Sequence, residues 1–290
     1  MMPATLDPRV NAYRPDLADA RLRGVVEAPR YAPGEQRQIA RAVVAVRRRP
    51  GPHEPLDTQA VLGEVVRVFD EAGGFAWVQL ERDGYVGYVA ADALRPEIFP
   101  TDHRVSALAT FIYPSPDIKA SPLAQLPLGA RIAVQSMDDR FAQLRPDGYV
   151  VLRHIAEHGR WAKDFVDVAE RFIGTPYLWG GRTRHGLDCS GLLQSALEAA
   201  GIASPRDTDM QQAALGAELL IPADLEGLAR GDLVFWPGHV GMMIDSVLLL
   251  HANAHHMAVA VEPLRSAVNR ISRAGHSVAA VKRLERLGAG

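Results

Sequence analysis

The sequence predicts an α+β protein, in which small all-β modules precede a domain of helices packed on a mixed or antiparallel sheet. Three observations carry this. After residue 159, Phe165, Val168, Ala169 and Phe172 recur at i, i+3, i+4 and i+7, a helical period expected over 161–173 and closed by Gly174. An apolar segment at 190–200 follows, and then the strand-like runs 231–236, 240–244 and 248–250. Before residue 98, short β-rich runs are joined by Arg82-Asp83-Gly84, and a fainter copy of the same pattern comes next.

Length and charge bound the answer. The 290 residues, 48% of them hydrophobic, suit two or three domains with cores of their own. A net charge of −2 and a pI near 6.6 argue against an electrostatic nucleic-acid binder. No run approaches the roughly 18 apolar residues of a membrane span. The single cysteine excludes an internal disulfide. The first ten residues lack the basic start and apolar core of a signal peptide, so a cytoplasmic location is expected.

Residues 1–34, rich in Pro, Arg and Asp, read as an extended leader with a short helical possibility at 16–22. From 35 to 97 the candidate strands are 39–46, 64–69, 75–80 and 85–89, with Asp83-Gly84 as the hairpin turn. Phe75-Ala76 and Asp83-Gly84-Tyr85-Val86 recur as Phe141-Ala142 and Asp147-Gly148-Tyr149-Val150, while Leu62-Gly63 recurs as Leu128-Gly129. Two tandem small β-barrels, 35–97 and 98–158, explain the repeat. A third domain then spans 159–290.

In that domain the helix at 190–200 buries Leu192, Leu193, Ala196, Leu197 and Ala200 and stops at Gly201. Cys189 opens it, where unpaired backbone N–H groups and the helix dipole favour a thiolate with a pKa below the usual roughly 8.5. A nucleophilic thiol needs a base, and the base an orienting partner. His239 begins one apolar strand and His251 ends or follows the next, and antiparallel pairing around Asp245-Ser246 would bring the two rings together. His239 then takes the thiol proton and His251 holds its tautomer, without adding a fixed negative charge. A buried structural cysteine is the competing reading. A metal site is disfavoured: His251 and His255 have i, i+4 spacing, but position 252 is Ala and 248–250 reads as strand.

Five segments, in this order, resemble the NlpC-type cysteine peptidases that cut bacterial cell-wall peptides. They are Gly174-Thr175-Pro176-Tyr177-Leu178-Trp179-Gly180-Gly181, Asp188-Cys189-Ser190-Gly191, Gly231-Asp232-Leu233-Val234-Phe235, Gly238-His239-Val240-Gly241 and His251-Ala252. The resemblance covers 159–290 and implies a papain-like catalytic domain; the two preceding modules resemble bacterial SH3-like domains. It further implies that Tyr177 helps stabilise the oxyanion and that Trp179 lines the cleft. Asp188 and Ser190 would hold a free substrate α-amino group, although both are also natural helix caps. Thr208 would touch substrate. Glu54 and Tyr88, with Tyr85 as the alternative, would close the pocket from the first SH3-like module.

The implied activity resembles that of a γ-D-glutamyl-diamino acid endopeptidase of the dipeptidyl-peptidase VI kind. It would cut murein stem peptides with a free N-terminal L-Ala, in cell-wall peptide recycling. The expected partner is a murein-derived peptide, with no nucleic acid, membrane, metal or organic cofactor, and the protein is expected to be a monomer. The alternatives are an exported peptidoglycan hydrolase or amidase, an acyltransferase, and a wall-peptide binding protein on the same fold.

Overall fold

The computed structural model describes residues 6–220 and 225–284. The chain divides into two compact units, 1–158 and 159–290. Among the described residues no helix is long and apolar enough to cross a membrane.

In the first unit, β1 (Tyr13–Arg14), β2 (Leu17–Asp19) and β3 (Arg30–Ala32) form a small sheet. The expected helix at 16–22 is therefore a strand followed by a single 3-10 turn, Ala20–Leu22. The Asp19 side chain accepts from the Arg21 N–H, which suits a turn rather than a helix interior. Ala12 and Leu17 are buried with Phe69 and Trp77, so the leader shares a core with the module after it.

That module contains β4 (Glu35–Ile39), β5 (Val43–Arg47), β6 (Leu56–Val61), β7 (Val65–Ala72), β8 (Phe75–Leu80), β9 (Val86–Ala90) and β10 (Leu94–Arg95). The continuous strand expected over 39–46 is broken at Ala40–Ala42, because β4 pairs with β7 and β10 whereas β5 pairs with β6 and β9. The second module contains β11 (His103–Val105), β12 (Ala109–Ile112), β13 (Ala124–Pro127), β14 (Arg131–Met137), β15 (Phe141–Arg145), β16 (Tyr149–Val151) and β17 (Ile155–Glu157).

The repeat extends to topology. The order β10-β4-β7-β8-β9 in the first module matches β17-β11-β14-β15-β16 in the second. The β5–β6 ribbon pairs with β9, and the β12–β13 ribbon reaches β16 through the Tyr113–Tyr149 bridge. Gly63 donates to Ile39 O and Gly129 to Val105 O, and both glycines have positive φ. The same turn, open to glycine at low cost, thus recurs in both copies.

In the second unit, α1 (Phe165–Glu170) is shorter than the expected 161–173. Asp164 caps it by accepting from Val166 N–H at 2.8 Å, which starts the helix at Phe165. The glycine-rich loop leads to the short strands β18 (Arg182–Thr183) and β19 (Gly186–Leu187), and then to α2 (Cys189–Ala199). Almost every residue of α2 is buried, and the polar Gln194 and Ser195 donate to the carbonyls of Ser204 and Arg182. It packs against α1 and against two central strands, β22 (His239–Met243) and β23 (Leu248–Asn253).

Four further elements precede the chain's end: α3 (Thr208–Ala214), β20 (Ala217–Leu219), β21 (Leu233–Trp236) and β24 (Ala258–Pro263). A helix not foreseen from the sequence, α4 (Leu264–Arg273), and the strand β25 (Ala280–Arg283) follow. The sheet order is β20-β25-β21-β22-β23-β24, antiparallel at each described pairing. Leu264 and Ala267 of α4 are buried with Val234, Trp236, Met243 and Leu249.

Truncating Leu197, fully buried in α2, to alanine is expected to cost about 2–5 kcal/mol through lost transfer energy and a residual cavity. Denaturant unfolding of the variant should show a correspondingly lower midpoint; an unchanged midpoint would contradict α2's central place.

Candidate active site

Cys189 is the first residue of α2, and Asp188 is its N-cap. The Asp188 carboxylate accepts from Gly191 N–H, Gly180 N–H and Arg206 Nη2, each at 2.7 Å, and from the Ser190 hydroxyl at 3.3 Å. Arg206, 1% exposed, also donates through Nη1 to Ser190 Oγ at 2.7 Å. Its pairing was not foreseen from the sequence, because nothing local tells an arginine which carboxylate it will meet. Gln211 Nε2 donates to Ser190 O and Pro205 O, both at 3.0 Å, tying α3 to the start of α2. Asp188 is thus the cap, and its four bonds fill the acceptor sites of a carboxylate. A substrate ammonium would have to displace one of them.

Thr208 Oγ1 lies 3.9 Å from the Cys189 sulfur, and the backbone N–H of Val240 bonds to the thiol. Val240 follows His239, so this contact seats the start of β22 beside the nucleophile. The His239 and His251 rings meet as the strand reading requires, with His239 Nε2 and His251 Nδ1 2.8 Å apart. The pairing Met242 to Leu250 and Met243 to Leu249 makes His239 a diagonal neighbour of His251 across β22 and β23. His251 Nε2 lies 2.8 Å from Glu262 Oε1, and Arg270 donates to both Glu262 oxygens at 2.6 Å. Because His251 pairs with Ala260, Glu262 on β24 is again a diagonal neighbour. The line therefore carries a fixed negative charge after all, one residue beyond His251.

The loop 175–181 is strung between β24 and β19: Tyr177 N–H donates to Met257 O and Leu178 N–H to Leu187 O. Tyr177 is half-buried, and its hydroxyl feels the charge of Asp188. Trp179 is 65% exposed, which removes core packing as its role. Glu54 and Tyr88 belong to the first unit. The Tyr88 hydroxyl accepts from Arg14 Nη1 at 3.1 Å, and the Glu54 carboxylate lies 3.5 Å from Arg49 Nε. Tyr85 is a core residue of its module, so Tyr88 is the tyrosine with surface to offer.

Burial pushes the Cys189 thiol up to about 11, with the Asp188 charge adding to the effect. Desolvation of the buried sulfur thus works against the low thiol pKa expected at a helix N-terminus. Burial also holds His239 down to about 3, with His251 and Arg270 contributing, and His251 down to about 4 against the pull of Glu262. Against burial, the bonds from Arg270 and His251 hold Glu262 down to about 2. Thiol and imidazoles are therefore neutral at pH 7, and Glu262 is ionised. Burial lifts the Tyr177 hydroxyl to about 12, so it remains a donor.

His251 is in a strand, so the helical spacing to His255 has no structural counterpart. His251, His256 and Glu262 do bring potential ligand atoms within 4.8 Å of one another. The Arg270 guanidinium, clamped on both Glu262 oxygens, competes with a cation at that carboxylate.

A cysteine at a helix N-terminus, next to a strand that carries the first of two bonded imidazoles, defines a thiol hydrolase. Residues 174–273 match the NlpC/P60 family, and residues 46–94 match the bacterial dipeptidyl-peptidase Sh3 domain. The γ-D-glutamyl-L-lysine dipeptidyl-peptidase of Bacillus subtilis (strain 168) is 30% identical over 226 residues, 68% of this chain and 72% of that protein. Dipeptidyl-peptidase 6 of Lysinibacillus sphaericus is 28% identical over 189 residues, 64% of this chain and 66% of that protein. The crystal structure of an NlpC/P60 family protein from Bacillus cereus ATCC 10987 superposes with a TM-score of 0.71. It covers 86% of this chain and 99% of that one at 20% identity, and it shares the fold. The chain belongs to the NlpC/P60 family of cysteine peptidases.

Replacing Arg206 by methionine strands the Asp188 carboxylate, and stability should fall by about 3–5 kcal/mol, the usual cost of an uncompensated buried charge. The Asp188→Asn/Arg206→Met double variant should recover part of that loss in denaturant unfolding; strictly additive losses would argue against the coupling. Acid should also destabilise this unit. The histidines titrate at about 4 and about 3 when folded, below the ordinary value of roughly 6.5, so the unfolded chain binds protons first as pH falls. Stability is then complete above about 6.5 and declines from there to about 3; Glu262, depressed to about 2, adds a loss of the same sign below its ordinary range. Unfolding midpoints should be lower at pH 5 than at pH 7, with a shallower slope in His251→Asn.

Proposed function

We propose that the protein hydrolyses murein stem peptides at the bond between γ-D-Glu and the following diamino acid, and that it requires a free N-terminal L-Ala. The observation that carries this reading is the pairing of a cysteine–histidine–histidine site with a module matching the bacterial dipeptidyl-peptidase Sh3 domain. Relatives named as γ-D-glutamyl-L-lysine dipeptidyl-peptidases, at 26–30% identity, support the same bond.

In this reading Cys189 attacks the γ-carbonyl of D-Glu while its proton passes to His239. His251 holds the His239 ring. The oxyanion is met by backbone N–H groups at the start of α2 and by the neutral Tyr177 hydroxyl. His239 then protonates the leaving amine of the diamino acid. Water, activated by the same imidazole, hydrolyses the thioester and releases L-Ala-γ-D-Glu. Thr208, beside the sulfur, and the exposed Trp179 line the path of the peptide.

The free amine is recognised by the Asp188 carboxylate, which exchanges its longest bond, that from Ser190. A peptidase with this requirement acts on released fragments, as wall-peptide recycling demands, and cytoplasmic residence fits that role.

The test uses L-Ala-γ-D-Glu-diaminopimelate, its L-Lys counterpart and the N-acetylated form of each, with Cys189→Ala as control and mass spectrometry of the products. Release of L-Ala-γ-D-Glu from the free peptides only, absent in the control, is the expected result. Equal cutting of acetylated peptides would remove the amine requirement and favour wall hydrolysis. No cutting would overturn the reading.

A further inference from the structure

We propose that Glu262, seated by Arg270, is a positioning residue that sets the tautomers of both His251 and His239 and thereby makes His239 Nδ1 the base. The inference deepens the peptidase reading and rests on it for its consequence, though the tautomers themselves can be read without substrate.

The logic starts from a carboxylate that can only accept. Ionised Glu262 has no hydrogen to give, so the 2.8 Å contact with His251 Nε2 requires that nitrogen to carry the proton. A neutral His251 then has a bare lone pair at Nδ1. The 2.8 Å contact between His251 Nδ1 and His239 Nε2 therefore requires the proton on His239 Nε2. A neutral His239 is left with its lone pair on Nδ1, the nitrogen not engaged by His251. One fixed charge at the far end orders every proton along the line.

Without that charge both tautomers of His251 become available. When His251 presents N–H at Nδ1, His239 must accept at Nε2, and its own proton moves to Nδ1. In that state His239 cannot accept a thiol proton, and the site is inactive although every residue keeps its place. Substrate binding is untouched, so the loss falls on kcat rather than KM.

The groups facing Glu262 come from separate elements: His251 from β23, and Arg270 from α4 with donors on both oxygens. His256, held through Nδ1 to Asn253 Oδ1 at 3.0 Å, works against protonation of His251. Arg270 keeps the carboxylate ionised well into acid, so the ordering survives at any pH at which the thiol chemistry runs. It also offsets the attraction between Glu262 and the rings, and so limits how far Glu262 favours a resting imidazolium. When His239 does take up the thiol proton during attack, Glu262 stabilises the positive charge through His251.

The test is made on the full chain with histidine-ring 15N NMR, alkylation of Cys189 by iodoacetamide, and hydrolysis of L-Ala-γ-D-Glu-L-Lys. In the native protein both rings should show the Nε2–H tautomer. In Glu262→Gln, which keeps the shape and loses the charge, His251 should become a mixture of tautomers. Alkylation and kcat should then fall about tenfold or more, with KM changed less than twofold. The Glu262→Gln/Arg270→Met variant leaves no stranded guanidinium and should show the same mixture, so a folding defect in the single variant does not decide the matter. Arg270→Met should keep both tautomers at pH 7 but lose reactivity at a higher pH on the acid side, as Glu262 returns toward its ordinary pKa. An Nδ1–H tautomer on His239 in the native protein would overturn the proposal, as would unchanged tautomers and alkylation in both Glu262→Gln variants. If tautomers and alkylation respond while no peptide is cut, the substrate assignment fails and the role of Glu262 stands.

Discussion

The buried pairing of Asp188 with Arg206 is the contact on which the catalytic unit depends. One carboxylate closes the N-terminus of α2, catches the glycine-rich loop at Gly180 and binds the guanidinium that the 204–208 segment sends inward. The loop and the helix approach so closely that a Cβ on Gly191 would lie 2.2 Å from Gly181 O, and one on Gly181 would lie 2.3 Å from Gly186 O. Glycine at these places is a matter of space, and neither backbone needs a positive φ. The thiol's position follows from this closure, because Cys189 is the first residue after the cap. A charge so deeply buried is costly unless every lone pair is matched, and here each is.

A second carboxylate–arginine pair, Glu262 with Arg270, stands at the opposite end of the catalytic line. Between the two pairs lie a thiol and two imidazoles that burial keeps neutral. The site is therefore organised by fixed charges outside the reacting groups rather than by a permanent thiolate–imidazolium pair.

The N-terminal unit shows the same economy through repetition. Two modules share one strand order and one glycine turn, though their sequences retain only scattered matches. The leader adds a third small sheet and inserts Leu17 against Phe69 and Trp77, with the Arg14 guanidinium over the Trp77 ring at 4.7 Å. Tyr88 is thereby held from the leader, by a residue that sequence order places far from it.

Much was legible in the chain itself. The single cysteine before an apolar helical period, two histidines on successive apolar runs, and the Asp-Gly turns all encode local preferences, which periodicity reports directly. Helix α2 was expected to within a residue at each end, and the His239–His251 contact followed from antiparallel pairing alone. What could not be read was whatever depends on partners distant in sequence. Arg206 and Arg270 are ordinary arginines until folding brings each against a carboxylate 18 and 8 residues away, and α4, which delivers the second, was not anticipated at all. The protonation states went the same way: a helix N-terminus by itself argues for a thiolate, whereas burial of the sulfur, visible only in the fold, argues for a thiol. The sequence by itself picked out Cys189, His239 and His251 as the candidate groups and the helix and strands that carry them. Only the tertiary structure decided which charges surround those groups, because desolvation and ion pairing are properties of packing between segments and leave no trace in local pattern.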